Sequence, residues 1–222
     1  MSYIGVLTPL EKNIFDNAKK IFNELLDDFR IKGLLRKRPP QDQRERLAKM
    51  WKQSYHLGMA YNTIVNLFKN KENIDSFINR NKEYGFTKDV MAFSYYNQII
   101  GMFIIDIETV LRTSLLFFLK EKKGIKKRME LGRLIYTIKK ITPKIGNKLD
   151  KIVDCNLRNI LAHGGILFES IDEVYLMQNA HLENLEKINL VDFMIRVKKQ
   201  NIVAHAFIEA LMEKVRIGYF RG

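Results

Sequence analysis

The stretch 99–119 constrains the fold more than any other part of the sequence. It is apolar almost throughout, and about 20 consecutive apolar residues are enough to span a bilayer. Yet it contains Asp106, Glu108 and Arg112. Charges like these cost about 2.5–3.5 kcal/mol each at the centre of a membrane helix, so the membrane reading fails. A helix that is apolar nearly all round and does not sit in lipid has to be surrounded by other helices. The stretch therefore reads as the central helix of a bundle, and the rest of the chain must supply its neighbours.

The remaining pattern agrees. Proline occurs only at Pro9, at Pro39-Pro40 and at Pro143, and glycine is sparse, which favours long helices. The chain has 222 residues, enough to bury a large core without staples. Thr8-Pro9-Leu10-Glu11 combines a capping box with proline at the first helical position. Apolar residues at Ile14, Phe15, Ala18, Ile21, Phe22, Leu25 and Leu26 then follow the helical period, which predicts a helix over 9–31. Arg36 to Pro40 reads as a basic loop. A second capping box, Asp42 to Glu45, opens a helix over 43–69. A shorter helix follows Asn73 and stops at Gly85.

Thr87 opens the apolar region, and Gly124 is expected to end the central helix. A basic amphipathic helix is expected from there to Ile141. Thr142-Pro143 marks a break, with a further helix reaching Gly164-Gly165. Two short, partly β-branched runs around 166–168 and 173–177 read as a small β-hairpin. Asn189 to Asp192 starts a last long helix that ends near Ile217. The expected fold class is all-α: a helical bundle over 86–222 with an N-terminal helical extension over 1–85, and the small hairpin near 166–177.

Charge narrows the partner. The formal net charge is +13, and it is clustered. Residues 30–52 carry a net +7, residues 120–151 a net +9, and everything else a net −3. Solvated lysine-rich helix faces would give a more even spread. The clustering favours a polyanion, nucleic acid above all. A membrane-surface helix is weaker, because the basic runs lack a wide apolar face opposite the charge. Cys155 is the single cysteine and no Cys/His set has zinc spacing, so a reducing cytosol is expected. The first dozen residues show neither a basic nor a long apolar signal region.

One stretch carries chemistry: Asp154-Cys155-Asn156-Leu157-Arg158-Asn159-Ile160-Leu161-Ala162-His163-Gly164-Gly165. It resembles the signature of the HEPN superfamily, the higher-eukaryote and prokaryote nucleotide-binding domains. There an arginine and a polar residue precede a histidine by four to six intervening positions. Glycines, a hairpin-like stretch and a long helix follow the motif here. The preceding apolar helix carries Ile107-Glu108-Thr109-Val110-Leu111-Arg112, similar to the acidic-then-Leu-Arg pattern of those bundles. The resemblance covers about residues 88–218.

The resemblance implies a four- or five-helix bundle, a homodimer, and two motifs facing each other across a basic cleft. Many such proteins are metal-independent ribonucleases serving as toxins, abortive-infection factors or CRISPR-associated effectors; others bind without cutting. It implies catalytic roles for Arg158, His163 and Asn159, and supporting roles for Glu108 and Arg112. It implies an RNA surface at Lys122, Lys123, Lys126, Lys127, Arg128 and Arg133. RNA, a second copy of the chain and an antitoxin or defence-complex protein are the expected partners. No cofactor, metal or membrane is expected.

The chemistry of these side chains is compatible with that role. RNA supplies its own nucleophile, the 2′-hydroxyl. Histidine ordinarily titrates near neutrality and can move the proton. An arginine fork offers fixed donors to phosphate oxygens. Asparagine can hold a ribose or phosphate oxygen, or fix the imidazole tautomer. Helix geometry adds a constraint. Asn159 and His163 lie about 40° apart on one face, whereas Arg158 and His163 lie about 140° apart. Either the long Arg158 side chain curls back, or the helix loosens before Gly164, or two subunits combine their residues.

Plainer roles stand beside these. His163 could be a histidine at a helix C-terminus, interacting with the dipole. Arg158 could pair with Glu108 or Asp106. His56, His181 and His205 read as surface or packing residues, and Cys155 has no histidine at a useful spacing. Trp51 and Tyr55 could stack on bases, although helix packing is the simpler role. The sequence has no Gly-rich phosphate loop, nucleophile elbow or His-Glu-x-x-His motif. Paired carboxylates do not cluster with its histidines.

Overall fold

The structure is a computed structural model that describes residues 7–36, 41–85, 87–163, 165–170, 173–177 and 185–216. It is mainly helical, with one small antiparallel sheet. Two compact units are interleaved along the chain. The first comprises Met1–Tyr55, Ile105–Cys155 and Lys199–Gly222; the second comprises His56–Ile104 and Asn156–Lys198. No helix among the described residues is long and apolar enough to cross a membrane.

In the first unit, α1 (Pro9–Ile31) starts as the capping box requires. Glu11 N donates to Thr8 Oγ1 at 3.3 Å, and Thr8 N donates to Glu11 Oε2 at 2.9 Å. Phe15, Ala18, Phe22, Leu25 and Phe29 line its buried stripe. Gly33 takes a left-handed conformation at φ 66° and turns the chain out of the helix. The opening part of α2 (Gln41–Lys69) also belongs here.

The central apolar stretch is helical but not uniform. A π-helical segment, Ile105–Arg112, leads into α5 (Thr113–Phe118). The helix ends at Phe118 rather than at Gly124. Leu119 leaves it to form an antiparallel bridge with Leu35, in which Arg36 N donates to Phe118 O at 2.9 Å and Lys120 N donates to Leu34 O at 2.7 Å. The chain then turns through Lys123 and Gly124, at φ 52° and 85°. As a result 122–128 is a loop with exposed cations, not the start of a basic helix.

Helix α6 begins only at Leu131 and runs to Ile141; α7 (Pro143–Ile152) follows across the expected Thr142-Pro143 break. The two pack closely because Gly146 has no side chain: a Cβ there would stand 2.8 Å from Lys139 N. The further helix expected to reach Gly164 is broken at Val153-Asp154. Gln200 causes the break, accepting from Asp154 N at 2.9 Å and donating to Ile152 O at 3.2 Å in place of helical bonds. The C-terminal part of α9 (Leu190–Arg216) completes this core, with Phe207 4.9 Å from Phe22 between ring centroids.

In the second unit, α3 (Lys71–Asn81) is capped by Asn70, three residues earlier than the sequence pattern indicated. A 3₁₀ turn, Lys82–Tyr84, and left-handed Gly85 end it. Thr87 caps α4 (Lys88–Ile104), accepting from Val90 N at 3.2 Å. The short helix α8 (Cys155–Ala162) precedes the sheet. Strands β1 (Ile166–Ser170) and β2 (Glu173–Met177) form the expected hairpin, whose turn at 171–172 lies outside the described residues. A third strand, β3 (Leu185–Ile188), adds to β2 in the order β1-β2-β3. Its four residues alternate only weakly, so the sequence did not announce it. Phe168 of β1 packs against Phe93 and Tyr96 of α4, at 5.7 and 5.4 Å between ring centroids.

Candidate functional site

The motif residues lie on and just after α8, in the second unit. Leu157, Ile160 and Leu161 are buried, which turns Asn156, Asn159, Ala162 and His163 outward. His163 N donates to Asn159 O at 3.1 Å, so the helical pattern continues to the histidine and does not loosen before it. Gly165 N then donates to Ile160 O at 2.7 Å, and Met177 N donates to Gly165 O at 2.7 Å. These bonds tie the end of α8 to β2. Glycine suits this junction, because a Cβ at 165 would stand 3.0 Å from both Ile160 O and Met177 O, tighter than ordinary contact. Gly164 lies outside the described residues.

Arg158 is half-buried and does not point straight out from its own position. Its Nη1 donates to Asn159 Oδ1 at 2.9 Å. The guanidinium is thereby drawn toward the flank of Asn159, and Asn159 sits one turn before His163 on the same face. Of the three ways to reconcile the 140° separation, the continued helical bond to His163 goes against a loosened helix, and the curled Arg158 side chain and the two-subunit arrangement both stand. Asn159 and the exposed His163 thus share one side of a short helix, and Arg158 bonds to the first of them.

Glu108 and Arg112 lie in the first unit, on the π-helical segment. Arg112 Nε pairs with Glu108 Oε2 at 2.6 Å, and Arg112 Nη1 donates to Met129 O at 3.0 Å. This ties down the base of the basic loop. Ile125 and Met129 are buried and anchor the loop, while Lys122, Lys123, Lys126, Lys127 and Arg128 stay exposed. Arg133 is exposed on α6. The six cations expected at an RNA surface are therefore all solvent-facing in the first unit.

The second polar cluster of the molecule was not legible in the sequence. Asp106, on the π-helical segment, is 2% exposed, and His205 on α9 is 6% exposed. Ser54 Oγ donates to Asp106 Oδ1 and lies 3.2 Å from His205 Nε2; Asn201 Nδ2 donates to Asp106 Oδ2 at 2.5 Å. Burial pushes the Asp106 carboxyl up to about 7, against the smaller opposing effect of these hydrogen bonds. Burial pushes the His205 imidazole down to about 4. His205 is thus a buried, hydrogen-bonded histidine. A serine sandwiched between carboxylate and imidazole is no hydrolase triad, in which the imidazole takes the middle place, and Ser54 is closed to solvent.

The other residues singled out in the sequence have simpler places. His56 is exposed, and His181 lies outside the described residues. Trp51 is half-buried and its Nε1 donates to Ser114 Oγ at 3.0 Å, a packing role rather than a stacking one. Tyr55 is half-buried and faces His205 edge-on at 6.5 Å. Among the described residues, no three His, Cys, Asp or Glu side chains come together in an arrangement that could hold a metal ion. Compared with known proteins, the chain matches no family model, no curated protein and no solved structure.

Proposed function

We propose that this chain is a metal-independent endoribonuclease of the HEPN type, acting as a cytoplasmic homodimer in a toxin, abortive-infection or other defence role. The observation that carries the reading is the Arg158–Asn159 hydrogen bond, which draws the guanidinium toward the face that also bears the exposed His163. In the proposed reaction the ribose 2′-oxygen attacks the adjacent phosphorus. The P–O2′ bond forms, the P–O5′ bond breaks, and the products carry a 2′,3′-cyclic phosphate and a 5′-hydroxyl. His163 moves the proton between the 2′-oxygen and the 5′-oxygen. Arg158 donates to the non-bridging oxygens as charge builds on them, and Asn159 orients Arg158. The test is cleavage of RNA by the purified chain in excess EDTA, with end-group analysis. Cyclic phosphate ends that disappear in His163→Ala support the assignment; cutting that survives in that variant would falsify it.

A second reading is a non-catalytic HEPN module that binds RNA or a partner protein. The exposed basic loop favours it, since those cations serve binding whether or not a bond is cut. It predicts salt-dependent RNA binding without cleavage, weakened by replacing Lys126, Lys127 and Arg128 with glutamine.

A further inference from the structure

We propose that one face of α6, built from Gly132, Arg133, Tyr136 and Lys140, is a stacking platform for an unpaired base of RNA. The proposal rests on the reading that the polyanion this chain binds is RNA, and it specifies the form of that RNA as single-stranded.

Leu131, Leu134, Ile135 and Ile138 bury the other side of α6, whereas Tyr136 is 57% exposed. A lone exposed aromatic carries no message by itself. The neighbours of Tyr136 distinguish it. Arg133 and Lys140 stand three residues before it and four after it, the spacings that share a helix face. Lys140 Nζ lies 4.5 Å from the centre of the tyrosine ring. Long helical side chains lean over the preceding turn. Gly132 occupies that turn, and a Cβ there would meet nothing within 4 Å. The ring therefore has a cation over it, and the helix surface at the glycine one turn earlier is open.

The basic loop runs alongside. A Cβ on Gly124 would stand 3.6 Å from Thr137 Cγ2, the residue next to Tyr136. This brings the turn that bears Lys122 and Lys123 against the same helix. An aromatic ring inside a field of cations matches single-stranded nucleic acid, whose phosphates meet the cations while a base stacks on the ring. A perfect RNA duplex keeps its bases paired and stacked, and offers the ring nothing comparable.

The experiment uses the full chain and labelled RNA: a single-stranded oligouridine and a perfect duplex of equal length, each titrated at several salt concentrations. Tyr136→Ala should weaken single-strand binding about 5- to 100-fold and leave its salt dependence unchanged, because no charge is lost. Tyr136→Phe should bind within about twofold of the unaltered chain, since stacking needs the ring and not the hydroxyl. The Lys126→Gln, Lys127→Gln, Arg128→Gln triple variant should instead flatten the salt dependence. Unchanged binding in Tyr136→Ala, with a response in the triple variant, overturns the platform and leaves the RNA reading standing. Duplex binding as tight as single-strand binding does the same. No binding of either RNA by the unaltered chain overturns both.

Discussion

The α8 motif and the buried cluster of the first unit are made from similar side chains and put them in opposite situations. Each combines a histidine, an asparagine and an ionisable partner. On α8 the histidine and asparagine face water. In the buried cluster Asp106 accepts from a hydroxyl and an amide, both neutral, and His205 is enclosed with it. Water decides the difference. Exposed groups are available to a ligand, while enclosed groups are bonded to one another and shifted in pKa. The buried cluster therefore belongs to the architecture: it joins α2, the π-helical segment and α9 within the first unit.

The contrast can be broken by experiment, beginning with the largest effect. Replacing His163 with alanine should lower metal-independent RNA cleavage at least 100-fold, with little change in the thermal unfolding midpoint. An inactive variant that has also lost its fold would move His163 into the structural class. Asp106→Ala should do the reverse, costing about 2–4 kcal/mol in urea unfolding because Ser54 and Asn201 lose a buried partner. Arg158→Ala, measured the same way, should cost under about 1 kcal/mol. Equal losses in the two variants would erase the distinction.

The pH dependence of stability separates the two buried groups. The folded-state pKa of Asp106 is raised to about 7, so the folded chain holds its proton longer than the unfolded chain does. Its contribution is greatest at acid pH and is lost as pH rises toward 7. The folded-state pKa of His205 is depressed to about 4, so its contribution is present above pH 6.5 and is lost as pH falls toward 4. Across the shared window the slopes oppose each other. Asp106→Asn should expose the histidine slope, with stability falling as pH falls by up to about 1.4 kcal/mol per unit. His205→Gln should expose the aspartate slope, with stability falling as pH rises. Parallel profiles in the two variants would show that the groups do not titrate in this way. The smallest effect belongs to Asn159→Ala. Its exposed hydrogen bond should contribute no more than about 0.5 kcal/mol, so any larger activity loss in this variant reports on Arg158's orientation.

How much could be read without the structure depended on how far apart the partners are in the chain. The start of α1 follows from Thr8 and Glu11, three residues apart, whose reciprocal bonds are local. The motif on α8 spans six residues, and the helical period alone places Asn159 and His163 on one face. The stop of the short helix at Gly85 was legible for the same reason.

The rest was set by pairings that no local pattern encodes. The helix through Arg112 stops at Phe118 because the residues on either side of Leu35, far back in the chain, bond the backbone on either side of Leu119: Arg36 N donates to Phe118 O, and Lys120 N donates to Leu34 O. The chain breaks at Asp154 because a glutamine 46 residues later bonds to it. Ser54 is 52 residues from Asp106 and 151 from His205, so nothing in their spacing marked them as neighbours. By itself the sequence determined a mainly helical chain, a clustered positive charge and a compact polar motif, because each depends on composition or on the fixed period of a helix. Only the tertiary structure decided which histidine is enclosed and which meets water, because burial is conferred by residues brought together from distant parts of the chain.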